Sequence, residues 1–275
     1  MTKKFLLPLL TALVLSACGG GDQVVSEKPA DKVVSFPASE LSWVELPNSG
    51  GVKYANVKGD LAGRGDYEAF VNFPAKTDNP YHTHTQNLVT VVLKGTFYLT
   101  IDGRRYEYPE GSYFDLKGGV PHFSGCQSDE DCLLFQVQAD HFDLVPSSPI
   151  PANASASDLI SFPASQLTWN ELPGSGGVKY ANVEGDLAGH GKYSAFVIFP
   201  NGLDNPHHVH TQALPTVVLK GTFYAIIDGK RIDYPPGSYY DLPANLPHFS
   251  GCATGDNCLL FQYQQDHFDL VPVAS

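Results

Sequence analysis

The chain has 275 residues, with 17 Lys and Arg against 29 Asp and Glu, a formal net charge of −12 at pH 7. So acidic a body excludes nucleic acid as a partner, and it excludes a charge-driven hold on anionic lipid headgroups. Beyond the extreme N-terminus, no segment is apolar over the ~20 residues that a membrane-spanning helix needs.

In chain order, Lys3 and Lys4 precede an apolar run, Phe5 to Leu15, that is too short to span a bilayer as a helix. Leu15-Ser16-Ala17-Cys18 then resembles the lipobox of bacterial lipoproteins. That resemblance implies that residues 1–17 are a signal peptide and that Cys18 carries lipid. The body would then be anchored on the periplasmic side of a bacterial membrane, the outer membrane being expected. An ordinary secretory signal is the alternative, and either route exports the chain. Losing Lys3 and Lys4 and no acid moves the net charge from −12 to −14. Residues 18–33, polar and Gly-rich, read as a tether.

From Ser35 the sequence repeats itself at a constant offset, without a gap, as far as Pro146 and Pro272. Phe36 answers to Phe162, Trp43 to Trp169, Gly95 to Gly221 and Cys132 to Cys258. This sets two domains, 34–146 and 159–273, joined by a Ser/Pro/Ala-rich linker, 147–158, each domain long enough to bury its own core. A pseudo-twofold pair is the expected arrangement.

Within a copy no long segment has helical periodicity. Ser49–Gly65 is Gly-rich but lacks the Gly-Lys-Ser/Thr ending of a phosphate loop, and reads as turns between early strands. Strand-like runs follow at Tyr67–Phe73, Leu88–Leu93, Thr96–Ile101, Arg105–Tyr108, Ser112–Leu116 and Cys132–Gln138. Asp102-Gly103 and Asp228-Gly229 signal tight hairpins. Many short strands with regular turns predict an all-β class, a sandwich or barrel, and their spacing suits a jelly roll.

The stretches Asn79–Thr96 and Asn205–Thr222 carry the chemistry, because each holds a His-x-His pair running into a β-branched segment. Residues two apart on a strand share a face, so His82 projects with His84, and His208 with His210. Each copy adds a later histidine after a proline, His122 and His248. Three neutral imidazoles can hold Zn, Fe(II), Ni, Cu or Mn and leave positions open for water or substrate. The competing reading is hydrogen-bonded core histidine without metal. Of five cysteines, Cys126 with Cys132 and Cys252 with Cys258 read as local disulfides in an oxidising compartment, with a thiolate metal site as the weaker alternative.

These residues resemble the cupin superfamily. Its first motif is matched by His82, His84 and Gly95 and by His208, His210 and Gly221. Its second is matched by Pro109-Glu110-Gly111 with His122 and by Pro235-Pro236-Gly237 with His248. The resemblance spans both repeats, is closest to bacterial cupins of unknown function, and implies two tandem jelly-roll barrels. Two departures stand out. Leu88 and Leu214 occupy the place of the family's Glu ligand, and Cys126 and Cys252 that of a terminal Asn. Some cupin oxygenases, the thiol dioxygenases among them, are similar in using three His without the carboxylate. Without that Glu the ion keeps a larger positive charge, which favours an anionic substrate or an ionised bound water.

Gln86 and Gln212, two residues beyond the second His, are candidates for a weak ligand or for holding a bound water; the plainer reading is a polar residue at the barrel mouth. Gln136 and Gln138, with Gln262 and Gln264, give one strand a polar face that either lines the pocket or meets solvent. Tyr98, Tyr224, Tyr113 and Tyr239 are phenol donors or barrel wall. His141 and His267, in the DHFDLVP ending, have the wrong context for ligands and read as caps. No acidic residue recurs at a motif position as an evident general base. The expected function is a small-molecule metalloenzyme, dioxygenase- or isomerase-like. The alternative is a non-catalytic ligand- or metal-binding module of the cell envelope. A homodimer is a possible assembly.

Overall fold

The computed structural model describes residues 32–148 and 158–273. The expected signal peptide, Cys18, most of the tether and residues 149–157 of the linker lie outside them. In the first copy the strands are β1 (Val34–Phe36), β2 (Val44–Glu45), β3 (Lys53–Gly59), β4 (Tyr67–Phe73), β5 (Asp78–Thr83) and β6 (Leu88–Lys94). They continue as β7 (Thr96–Ile101), β8 (Arg104–Pro109), β9 (Tyr113–Leu116), β10 (His122–Cys126), β11 (Cys132–Gln138) and β12 (Val145–Pro146). In the second copy β13 (Leu159–Phe162), β14 (Asn170–Glu171), β15 (Lys179–Glu184), β16 (Tyr193–Phe199), β17 (Asp204–Val209) and β18 (Leu214–Lys220) come first. Then follow β19 (Phe223–Ile227), β20 (Lys230–Tyr234), β21 (Ser238–Leu242), β22 (His248–Cys252), β23 (Cys258–Gln264) and β24 (Val271–Pro272). All six runs expected from the sequence are strands. At the hairpins, Asp102 and Gly103 have φ of 50° and 75°, the left-handed pair that matches strand twist, and Asp228 and Gly229 repeat it.

Each barrel is two antiparallel sheets face to face. In the first, β13-β9-β6-β11-β4-β3-β2 packs on β12-β5-β10-β7-β8; in the second, β1-β21-β18-β23-β16-β15-β14 packs on β20-β19-β22-β17-β24. Val92, Leu134 and Phe114 from the larger sheet meet Phe97, Leu99 and Ile101 from the smaller to fill the first core. Disulfides Cys126–Cys132 and Cys252–Cys258 tie the sheets together, each joining the end of one inner strand to the start of the next. Gly95 is required there: its φ is +79° and a Cβ would lie 2.8 Å from the Cys132 sulfur.

The larger sheets are apolar on both faces, because their outer faces pack on each other. Phe70, Phe135 and Tyr113 join Phe196, Phe261 and Tyr239 in a core shared by the two copies. Phe135 stacks 5.8 Å from Tyr239, and Tyr113 lies 5.9 Å from Phe261. The copies also exchange edge strands. β1 pairs with β21 (Phe36 opposite Tyr239), and β13 pairs with β9 (Phe162 opposite Tyr113), so the first strand of each repeat completes the other's sheet. Ser238 Oγ accepts the Ala38 N–H at 3.0 Å and Ser112 Oγ the Ala164 N–H at 3.0 Å, pinning both crossings.

One polar cluster breaks the symmetry. Lys58 Nζ lies 2.8 Å from Asp241 and 3.5 Å from Glu68, and the Tyr239 and Tyr263 hydroxyls both donate to Glu68. The equivalent positions hold Glu184, Ser194, Asp115 and Val137, which cannot repeat it. Burial together with nearby Glu184 holds the Asp115 carboxyl above its ordinary range. Phe135 is fully buried at the shared core, so Phe135→Ala is expected to lower the unfolding free energy by about 3–5 kcal/mol in urea melts. A loss under about 1 kcal/mol would mean that the interface is not tightly packed.

Candidate metal centre

His82 lies on β5, and His84 is the first residue beyond its end. His122 opens β10 directly opposite His82 in register, and His248 stands opposite His208 in the second copy. The ladder thus delivers the third ring to the first two. Ring centroids are 4.1, 4.8 and 5.3 Å apart in the first copy, and 4.2, 4.9 and 5.4 Å in the second. All six rings are buried, and in each triad one nitrogen per ring lies within 4.8 Å of the others.

Backbone carbonyls decide which nitrogen faces inward. His82 Nδ1 bonds Pro80 O at 2.6 Å, His122 Nδ1 bonds Val120 O at 2.9 Å, and His84 Nδ1 bonds Asp143 O at 2.5 Å. His208, His248 and His210 make the same bonds to Pro206, Leu246 and Asp269. Only a protonated Nδ1 can donate to a carbonyl, so every Nε2 carries a lone pair. Tethering the outer nitrogen in this way is how metal-ligating histidines are oriented. The Asp143 carboxylate also accepts the Thr85 N–H at 2.8 Å, fixing the turn after His84, and Asp269 does the same for Thr211. The DHFDLVP ending therefore supports the site through Asp143 and Asp269. His141 and His267 lie outside it, beside Asp140 and Asp266.

Burial is the main reason the imidazoles resist protonation. It lowers His82 to about 4, His122 to about 3, and both His210 and His248 to about 4, and it lowers His84 and His208. At neutral pH, then, three uncharged donors converge in each barrel. A tetrahedral ion about 2.1 Å from its nitrogen ligands holds them roughly 3.4 Å apart. His82 Nε2 and His84 Nε2 are 3.3 Å apart, and His208 Nε2 is buried without a hydrogen-bond partner among the described residues. The donor set fits a divalent ion.

The triads open into cavities of about 420 Å³ in the first barrel and 550 Å³ in the second. Val71, Phe73, Leu88, Phe97, Phe114 and Phe142 wall the first with His84 and His122. Neither lining contains Lys or Arg. The expected preference for an anionic substrate therefore finds no protein cation to support it; positive charge would come from the ion alone. Asn79 Nδ2 donates to Ser124 Oγ at 2.9 Å on the wall, and Asn205 to Ser250 at 3.0 Å. These pairs, with Asp78 and Asp204, were not singled out from the sequence. Their one signal was recurrence at the same place in both copies.

The other candidates scatter. Gln86 and Gln212 sit in the bend after the strand, so the strand parity that would align them with the histidines does not apply; Gln86 leans 3.5 Å from Asp140. Tyr98 faces away from Phe97 and Leu99, with Arg105 3.7 Å over its ring and its hydroxyl donating to Asp78; Tyr224 repeats this with Arg231 and Asp204. Tyr113 and Tyr239 lie between the barrels, not near a triad. Gln136 and Gln262 line the cavities. Gln138 and Gln264 are buried on the same inward face of their strands rather than solvated.

Residues 69–137 match the cupin domain family model. The quercetin 2,3-dioxygenase of Bacillus subtilis (strain 168) is 27% identical over 221 residues, 62% of this chain and only 64% of that relative's length. A putative dioxygenase from Nostoc punctiforme PCC 73102 superposes with a TM-score of 0.68 at 16% identity, covering 90% of this chain and 88% of its own. The oxalate decarboxylase of Bacillus subtilis does so with 0.58 at 14% identity, covering 87% and 79%. At these identities the structural likeness is one of fold.

The depressed imidazoles carry a pH prediction. Unfolded histidines take up protons near pH 6.5, whereas several of these do so only near 4. Between those values the unfolded chain binds more protons, so the stabilisation is complete above pH 6.5 and is lost as pH falls towards 4. The Tm of metal-free protein is expected to drop steeply over that window, and less steeply in a His82→Gln, His208→Gln variant. A flat profile would contradict the buried neutral assignment.

Proposed function

The chain is a bicupin, and from that premise we propose that each barrel holds one divalent ion on its three histidines. The pair then works as a small-molecule metalloenzyme, an oxidoreductase of dioxygenase type. The observation that carries the reading is the convergence of Nε2 lone pairs, each fixed by a carbonyl on the opposite ring nitrogen. When bound, iron or another redox-active ion would supply oxygen chemistry, whereas zinc would supply Lewis acidity alone.

The residues of the chain set what is bound and how. The aliphatic and aromatic walls exclude water and fit a ligand with an apolar, planar body. The Asn79–Ser124 and Asn205–Ser250 pairs offer hydrogen bonds to a hydroxyl or carbonyl at one end of it. A small dianion such as oxalate would meet no Lys or Arg there. The name of the quercetin dioxygenase relative supports a hydroxylated aromatic over a diacid. Asp78 and Asp204 are the acids on the walls. Their carboxylates accept from the outward-facing Tyr98 and Tyr224 hydroxyls, which fixes them at the cavity rims.

Export belongs to the same proposal, with lipid on Cys18 holding the body at the periplasmic face of the outer membrane. The two closed disulfides support an oxidising compartment. The test is metal analysis of protein purified without chelator, followed by oxygen uptake with catechols and flavonols. One ion per barrel is expected, absent from a His82→Ala, His208→Ala variant, with uptake that needs the ion. Protein that accepts none of Fe(II), Zn, Ni, Cu or Mn would contradict the reading. Bound ion without turnover would favour a capture module of the cell envelope.

A further inference from the structure

Each barrel buries polar groups that its own fold leaves unsatisfied. Gln138 is 2% exposed, and neither atom of its amide has a hydrogen-bond partner among the described residues. Across the ladder it faces Tyr67, 1% exposed, whose hydroxyl is also unpartnered. The second copy repeats the arrangement. Gln264 faces Tyr193, and both the Tyr193 hydroxyl and Gln264 Oε1 lack a partner. Gln264 Nε2 donates to Ala213 O at 2.7 Å, which leaves the oxygen as the free end. Native interiors pair nearly all such groups, because an unpaired one has given up its hydration for nothing. The same exception in both copies points to a ligand, not to a packing fault.

The register says where that ligand lies. Val137 pairs with Val89, so one further step along the ladder sets Gln138 beside Leu88. Leu88 lines the cavity with His84 and His122, and Leu214 lines the other with His210 and His248. Ala213, which orients Gln264, lies between His210 and Leu214 on the turn that follows the His208–His210 pair. The leucines stand where the resemblance to cupins leads one to expect a carboxylate ligand, and the adjacent strand supplies an amide at the same level.

We propose that Gln138 and Gln264 are the fourth polar contact of the two centres, each holding a water of the ion through its amide oxygen, with the Tyr67 and Tyr193 hydroxyls bordering the same space. A neutral amide in that place leaves the full charge of the ion uncompensated, which a carboxylate would halve. The Gln pair would thus keep the water firmly placed without weakening its polarisation. This inference rests on the metal reading above.

The test uses the full chain with Co(II) as probe. It compares wild type, a Gln138→Leu, Gln264→Leu variant and a Gln138→Glu, Gln264→Glu variant by chelator competition and by melting of the metal-free forms. The leucine variant is expected to load both triads with affinity lowered about tenfold, and the glutamate variant to bind more tightly than wild type. The metal-free leucine variant should melt no lower than wild type, because it removes an unsatisfied amide. Unchanged Co(II) affinity in the leucine variant would overturn the inference, as would a metal-free Tm well below wild type, which would make the amide structural. Wild type that takes no Co(II), like a His82→Ala, His208→Ala control, would defeat the metal reading itself.

Discussion

Six hydrogen bonds from imidazole Nδ1 to backbone carbonyl oxygen set the character of this molecule. Each fixes a tautomer and a ring plane, and together they turn three Nε2 lone pairs towards one point in each barrel. Four of the six are local: Pro80 and Val120 each serve the histidine two residues later, as Pro206 and Leu246 do in the second copy. The other two reach 59 residues along the chain, from His84 to Asp143 and from His210 to Asp269. The C-terminal ending of each repeat is therefore part of its centre. Burial then keeps the rings unprotonated at neutral pH, so a cation is the natural partner for each triad.

The barrels are not independent beads on a linker. β13 borders β9, whose Leu116 also pairs with Leu88 on the cavity wall, so the second repeat supplies an edge to the sheet that walls the first site. β1 does the same in return. Phe135 and Phe261, packed between the larger sheets, join the outer faces of the two sheets whose inner faces wall the sites. The Lys58–Glu68–Asp241 cluster exists on one side of this interface only, which distinguishes the two repeats where their sequences otherwise match.

Much of this was legible because it is local. The His-x-His pairs, the Asp-Gly hairpins and the Cys126–Cys132 spacing each express geometry over a few residues, and they stand where the sequence places them. What was not legible depends on faces. β6 and β9 carry large apolar side chains on both sides, so alternation could not tell that Tyr113 and Tyr239 point between the barrels while Phe114 points inward. Gln86 failed for a related reason: the strand ends at Thr83, and period-two reasoning does not extend into the bend. Strand exchange is a long-range pairing choice, and no local pattern in β1 or β13 announces it.

The most direct test of the account is an anomalous-scattering crystal structure of the protein with the metal it acquires during expression. One peak per barrel is expected, about 2.0–2.2 Å from all three Nε2 atoms, with every Nδ1 still bonded to its carbonyl. Rings turned to present Nδ1, or ions bound at the surface histidines with both triads collapsed on themselves, would contradict it.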